Sequence, residues 1–143
     1  MIRIVKSNFN HPVVDGLLEG CLLALKEKKI KNEDINITEV PGAFEIPYTV
    51  KNILSNDNNS TKAIITLGCV IKGETDHYNF ISQAVTNSIM DLTLTSKIPI
   101  LFGILTCQNP KLALDRSSAN MKKNKGYEVG QAAIKMTKIN WME

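Results

Sequence analysis

The fold is decided by the nonapeptide Ala63-Ile-Ile-Thr-Leu-Gly-Cys-Val-Ile71, which runs directly into the polar turn Lys72-Gly-Glu-Thr-Asp76. The nonapeptide is apolar at almost every position and rich in β-branched residues. This pattern is typical of a strand buried on both faces of a parallel sheet. From Asp76 to Ser96, residues at helical spacing predict a helix with one buried stripe, formed by Phe80, Ile81, Ala84, Val85, Ser88, Ile89 and Leu92. The stretch therefore predicts a strand followed by a helix, which is the repeating unit of an α/β fold.

The same alternation extends along the chain in both directions. Three more strands, each expected to be apolar on both faces, are predicted at Ile2–Val5, Ile35–Val40 and Ile98–Leu105. Four more helices are predicted, after Asn10-His11-Pro12, from Ala43 to Leu54, from Asn109-Pro110 up to a break near Ser117–Lys123, and from Gly126 to Lys138. We expect an α/β fold in which helices cover both faces of a four-stranded parallel sheet.

Composition narrows the class of protein. The 143 residues suffice for one domain, residues 1–143, with a core that needs no disulfide or metal. A net charge of +3 is too small to indicate a nucleic-acid partner. The three cysteines are widely separated and form no zinc or disulfide motif, which favours the reduced cytoplasm. The longest mostly apolar run, Ala63–Ile71, is too short to cross a bilayer, and no leader peptide is indicated.

Ligands of parallel α/β sheets bind beyond the carboxyl ends of the strands. After the third strand, Gly73 and Thr75 precede a helix, and such a turn presents free N–H groups that can bind phosphate. Many helices begin this way without a ligand, so the turn alone leaves anion binding open. His77 stands in the first turn of the helix, either as a proton carrier or as an ordinary surface histidine.

The other strand ends leave similar alternatives. In Pro41-Gly-Ala-Phe-Glu-Ile-Pro47, Phe44 and Glu45 offer either an apolar surface with a hydroxyl acceptor, or a core residue and a first-turn carboxylate. Phe9 and Phe102 are interpreted either as core residues or as stacking platforms, and core is the usual outcome for an isolated Phe. Arg116 is either solvated or a phosphate ligand, and Lys125 lies near enough in sequence to share that role.

Taken together, five segments resemble the lumazine synthase family over nearly the whole chain. They are Ser7-Asn-Phe-Asn10, VPGAFEIP at residues 40–47, GCVIKGETDHYNFI at residues 68–81, PILFGILT at residues 99–106, and Asp115-Arg116 with NKGYE at residues 124–128. The resemblance implies a flavodoxin-like three-layer sandwich. It also implies the condensation of 5-amino-6-(D-ribitylamino)uracil with 3,4-dihydroxy-2-butanone 4-phosphate, a step of riboflavin biosynthesis that uses no metal and no organic cofactor.

The resemblance assigns one group of residues to the pyrimidine ring and its ribityl chain. These residues are Phe9, Ala43, Phe44, Glu45, Cys69, Val70, Ile71 and Phe102. Phe9 would stack on the ring, Glu45 would accept hydrogen bonds from ribityl hydroxyls, and the segment 69–71 would contribute mainly backbone contacts. Phe102 would come from a neighbouring subunit.

A second group is assigned to the phosphate substrate and to proton transfer. Glu74 and Thr75 would hold the phosphate at the helix N-terminus, and His77 would carry protons. Arg116 and Lys125 would reach the phosphate from a neighbouring subunit.

The resemblance therefore implies a homo-oligomer with active sites at subunit interfaces, and riboflavin synthase as a candidate partner. Asn8 and Lys72 stand where the family commonly carries Arg, and the chain starts close to its first strand. The segment after Arg116 is slightly long for a cage-forming member, so a pentamer or decamer is expected over a 60-mer. The alternative function is a flavin- or lumazine-binding or shell-forming protein of the same fold without catalytic activity.

Overall fold

The computed structural model of the protein describes residues 1–139, and within them four parallel strands form one sheet in the order β2-β1-β3-β4. The strands are β1 (Ile2–Ser7), β2 (Ile35–Val40), β3 (Ala63–Ile71) and β4 (Ile100–Cys107). The predicted strand at Ala63–Ile71 is confirmed, and the structure places it inside the sheet, where β3 pairs with both β1 and β4. The prediction placed the fourth strand two residues too early. The end of the predicted single domain, residues 140–143, lies outside the described residues.

Helices cover both faces of the sheet. They are α1 (His11–Glu27), α2 (Ile46–Asn56), α3 (His77–Thr95), α4 (Pro110–Asp115) and α5 (Lys125–Thr137). Short 3-10 turns cover Asn32–Asp34 and Ala43–Glu45, so α2 begins three residues later than predicted. The predicted start of α4 is confirmed, because the Asn109 side chain accepts a hydrogen bond from the Leu112 N–H at 3.0 Å.

Two separate apolar cores show that the fold has three layers. On one face, Leu17 and Leu25 of α1 and Ala133 of α5 pack against the sheet. On the other face, Ile46 of α2 and Val85 of α3 pack against alternate strand residues. The expected α/β three-layer fold is therefore confirmed, and its strand order is that of the flavodoxin-like sheets.

Two predictions about burial were wrong. β2 is not apolar on both faces, because it lies at the edge of the sheet with β1 as its strand neighbour, and Asn36, Ile37 and Glu39 are exposed. Phe80 was placed on the buried stripe of α3, yet 71% of it is exposed. Val85 and Ile89 face the sheet instead, and Phe80 lies on the flank of the helix, away from that line.

Glycines allow α1 and α5 to pack very closely. A Cβ atom at Gly126 would overlap the Leu17 carbonyl, and one at Gly20 would overlap the Asn124 side chain. At this contact the Asn124 side chain lies against α1 and also caps α5. The packing therefore holds in place the segment that joins α4 to α5, which carries Arg116.

Candidate active site

A cleft of about 500 Å³ opens where β1, β2 and β3 end and α3 begins. The position agrees with the rule that ligands bind beyond the carboxyl ends of parallel strands. Nine residues proposed from the sequence line it, namely Phe9, Ala43, Phe44, Glu45, Cys69, Val70, Ile71, Thr75 and His77. Three separate strand ends and one helix start thus contribute to a single concave surface.

Two aromatic side chains stand at the mouth of this cleft. Phe9 is 71% exposed and Phe44 is 59% exposed, so the interpretation of either as a core residue is wrong. Phe44 belongs to the 3-10 turn Ala43–Glu45, in which the neighbouring Ala43 is buried. The buried Ile46 anchors the start of α2 directly after the turn. The cleft therefore offers large apolar faces that the folded chain itself leaves uncovered.

The backbone around Phe9 is fixed by the exit of β2. The Asn8 N–H donates to the Val40 carbonyl at 2.8 Å, and the Phe9 N–H donates to the Pro41 carbonyl at 2.9 Å. These bonds continue the pairing of β1 with β2 past the last residue of each strand. Phe9 is therefore exposed as a side chain but constrained in its backbone.

The turn before α3 is open and polar. Residues 72–77 are all exposed, and the Thr75 hydroxyl accepts from the His77 N–H at 3.3 Å. Within residues 1–139, the backbone N–H groups of residues 73–76 donate to no protein acceptor. A Cβ atom at Gly73 would meet no atom within 4 Å. Unpaired N–H groups at the start of a long helix form a favourable environment for an anion.

Four of the proposed residues do not line the cleft of their own chain. Glu74 is exposed on the turn, while Phe102 lies half-buried on the edge strand β4. Arg116 is exposed at the end of α4, and Lys125 forms an ion pair with Glu128 at 3.3 Å. One chain therefore brings together the proposed pyrimidine residues other than Phe102, but it does not bring Arg116 or Lys125 to them.

The thiols near the cleft are poor nucleophiles. Burial raises the pKa of Cys69 to about 12, and neighbouring Cys107 adds to the effect. Burial also raises the pKa of Cys107, although the positive charge of Arg116 partly opposes this. Both groups are thus protonated near neutral pH, and a thiolate mechanism is disfavoured.

Sequence reasoning missed three cleft residues, Gly42, Tyr78 and Ile81. Ile81 had been placed on the buried stripe of α3, although it lies one helical turn after His77 and so shares its face. That spacing could have identified it. Gly42 directly precedes the proposed Ala43, and Tyr78 directly follows His77.

In the part of the chain that the structure describes, no group of three or more His, Cys, Asp or Glu side chains is placed to hold a metal ion. No helix among residues 1–139 is both long and apolar enough to span a membrane.

The fold and the cleft define an α/β protein of flavodoxin-like topology with a concave, partly apolar cleft at its strand ends. A family model described as 6,7-dimethyl-8-ribityllumazine synthase matches residues 1–140. The curated 6,7-dimethyl-8-ribityllumazine synthase of Thermotoga petrophila is 40% identical over 138 residues, covering 96% of this chain and 82% of the relative. That of Thermotoga maritima is 39% identical over the same shares. The chain belongs to the 6,7-dimethyl-8-ribityllumazine synthase family, whose members are transferases of riboflavin biosynthesis.

Proposed function

We propose that this protein condenses 5-amino-6-(D-ribitylamino)uracil with 3,4-dihydroxy-2-butanone 4-phosphate to give 6,7-dimethyl-8-ribityllumazine, phosphate and water. The observation that carries the proposal is the cleft itself. Two aromatic side chains, Phe9 and Phe44, line the same cleft as a helix start that bears His77 and unpaired N–H groups. A flat heterocycle and a phosphate ester could thus bind side by side.

The pyrimidine substrate would occupy the part of the cleft at the ends of β1, β2 and β3. Phe9 is exposed and fixed in its backbone, which suits stacking on a ring. Glu45 lies half-buried beside Phe44, where its carboxylate can accept hydrogen bonds from ribityl hydroxyls. The end of β3, residues 69–71, supplies backbone groups along the edge of the ring.

The phosphate substrate would bind at the turn before α3. The free N–H groups of residues 73–76 and the positive end of the helix dipole favour a dianion there. The Thr75 hydroxyl lies at the same turn, and Glu74 contributes its backbone. This places the leaving phosphate next to His77, the first residue of the helix.

The chemistry consists of proton transfers between two aligned substrates. The 5-amino group attacks the ketone, and loss of water gives an imine. Phosphate then leaves by elimination, in which a proton is removed from carbon and the C–O bond to phosphate breaks. The ribitylamino nitrogen finally closes the second ring with loss of water. His77 would remove and return these protons, since an imidazole can do both near neutral pH. The overall reaction involves no net oxidation or reduction of the two substrates, so no redox group is needed.

A second copy of the chain would complete the site. Phe102, Arg116 and Lys125 lie away from the cleft of their own chain, whereas a phosphate is best gripped by a guanidinium. The outer surface of α3 exposes Phe80, Met90 and Leu94, which is unusual for a monomer. We therefore propose a homo-oligomer, a pentamer or decamer, in which these three residues serve a neighbour's cleft.

The test of the reaction is the appearance of lumazine absorbance and fluorescence from the two purified substrates. The wild-type protein should form product, and His77→Ala should lower kcat by about 100-fold, the lower end of what general acid–base catalysis contributes, without changing the melting temperature. Residual turnover is expected because alignment of the substrates remains. A wild-type protein that binds both substrates but forms no product would contradict the proposal, and a full kcat for His77→Ala would remove this residue from the mechanism.

The test of the shared site is complementation between two chains of impaired activity. His77→Ala and Arg116→Ala chains, each with a different affinity tag, should regain activity when co-expressed in one oligomer. Some clefts then combine an intact His77 from one chain with an intact Arg116 from another. Co-expression of two His77→Ala chains is the matched control. Activity no higher than the average of the two parents would mean that Arg116 serves the cleft of its own chain, or no cleft at all.

A further inference from the structure

Asn10 joins β1 to α1 in an uncommon backbone conformation. Its φ of 61° and ψ of 41° are left-handed, a region that Asn tolerates better than most residues. Asn10 occupies the N-cap position of α1, but its side chain caps no N–H group of that helix. Instead its Nδ2 donates a hydrogen bond at 3.1 Å to the carbonyl of Cys69, near the carboxyl end of β3.

This hydrogen bond lies where the sheet no longer holds the two strands together. The paired register of β1 with β3 ends at Lys6 and Leu67. Beyond it, Phe9 and the segment 69–71 form two walls of the cleft. Within residues 1–139, no other side-chain hydrogen bond links residues 7–10 to residues 68–71. The Asn10 amide is therefore the side-chain link between these two walls.

The left-handed backbone alone does not account for this contact. Asn59 has nearly the same conformation, with a φ of 68°, in the surface loop between α2 and β3. Its backbone N–H donates to Asp57, and its side-chain amide forms no hydrogen bond within residues 1–139. Asn59 therefore has the left-handed backbone without a hydrogen bond from its side-chain amide, and it can serve as the control for Asn10.

We infer that Asn10 is a positioning residue, which sets the gap between the Phe9 ring and the edge of β3 and thereby the affinity for the pyrimidine substrate. The inference rests on the proposed function. Two backbone hydrogen bonds already fix residues 8 and 9 relative to β2. The hydrogen bond from the Asn10 side chain then fixes their distance from β3. It acts on the aromatic wall without touching the phosphate site at the start of α3.

The test compares Asn10→Gly and Asn10→Asp with Asn59→Gly and Asn59→Asp in steady-state assays. Gly keeps the left-handed backbone and Asp keeps the size of the side chain, but neither can donate to the Cys69 carbonyl. Both Asn10 variants should raise the KM for the pyrimidine substrate by about three- to tenfold, the equivalent of one neutral hydrogen bond. The KM for the phosphate substrate and kcat should stay within about twofold. The Asn59 variants should match the wild-type protein in all three constants.

Several outcomes would overturn the inference. A wild-type pyrimidine KM for Asn10→Gly would mean that the conformation alone matters, and a wild-type value for Asn10→Asp would mean that side-chain size matters. Equal rises in both KM values, in step with a lower melting temperature, would mean general destabilisation. In each case wild-type turnover leaves the proposed function standing. Failure of the wild-type protein to form lumazine would overturn the proposed function and this inference together.

Discussion

The turn before α3 and the segment between α4 and α5 carry the residues proposed to hold one phosphate group, yet the rest of the chain supports them very differently. The turn, residues 72–76, is exposed throughout, and its N–H groups at residues 73–76 are free. In the segment, Asn124 is only 2% exposed. The Asn124 side chain donates to the carbonyls of Gly16 and Ser118 at 3.1 and 2.9 Å and accepts from the Tyr127 N–H at 2.9 Å.

The difference teaches that, under the proposed function, one phosphate would be held by two kinds of support. The turn leaves its backbone N–H groups at residues 73–76 free and contributes little to the core. The segment satisfies its polar groups internally, including a 2.8 Å bond from the Lys125 N–H to the Arg116 carbonyl, and leaves the Arg116 side chain exposed. Substitutions in the segment should therefore lower stability, whereas substitutions in the turn should lower substrate affinity.

The largest contrast is expected between two glycines. At Gly126 a methyl group would overlap the Leu17 carbonyl, a backbone atom that cannot move aside, so Gly126→Ala should lower the free energy of unfolding by about 3 kcal/mol or more. At Gly73 the same methyl group would enter open space, so Gly73→Ala should change the free energy of unfolding by less than about 0.5 kcal/mol. Urea unfolding at one protein concentration measures both. Equal values for the two variants would break the comparison.

The next contrast sets Asn124 against Asn120 in the same segment. Asn124→Ala removes a helix cap and the buried amide that donates to two part-buried carbonyls, which should lower the free energy of unfolding by about 2 kcal/mol. Asn120 is exposed, and its side chain accepts one local bond from the Lys122 N–H at 3.2 Å. Asn120→Ala should therefore change stability by less than about 0.5 kcal/mol. Thermal unfolding that ranks the two variants the other way would show that the segment is not held through Asn124.

Much of the fold could be predicted because its signals are local. The apolar run at residues 63–71 is a strand buried on both faces wherever helices cover a parallel sheet, and the structure agrees. The Asn109-Pro110 pair fixes the start of α4 by its own chemistry. The exposure of β2 could not be predicted from its own six residues. It depends on which strand ends up at the edge of the sheet, and the order of strands is a property of the whole chain.

The candidate site divides in the same way. The rule about strand ends placed Phe9, Phe44 and His77 around one cleft, since each directly follows a predicted strand or its turn. Whether an aromatic residue after a strand lies in the cleft or in the core depends on tertiary packing, so the sequence alone did not decide between these two positions for Phe9 and Phe44. The hydrogen bond from Asn10 to Cys69 joins residues 59 positions apart, and no local pattern signals it.

A smaller effect is expected in the turn, where affinity rather than stability should respond. Thr75→Val preserves the shape of the side chain but removes its hydroxyl, which accepts from the His77 N–H. The KM for the phosphate substrate should rise about three- to tenfold, the equivalent of one hydrogen bond, with stability unchanged. Thr75→Ser keeps the hydroxyl and should resemble the wild-type protein. An unchanged KM for Thr75→Val would leave phosphate binding to the backbone N–H groups of the turn.

The smallest effect tests whether the segment holds Arg116 in a fixed place. Burial raises the pKa of Cys107, and the nearby charge of Arg116 opposes that rise by stabilising the thiolate. Arg116→Gln removes the positive charge, so the pKa should rise further and the thiolate fraction at a given alkaline pH should fall. Alkylation of Cys107 by iodoacetamide, followed by mass spectrometry of its peptide, should slow by about twofold, as expected from the loss of one weak charge interaction. Lys111→Gln is the control for loss of one charge on α4 itself. Equal alkylation rates in the wild-type and Arg116→Gln proteins would mean that Arg116 moves freely, and the supposed contrast with the open turn would then be lost.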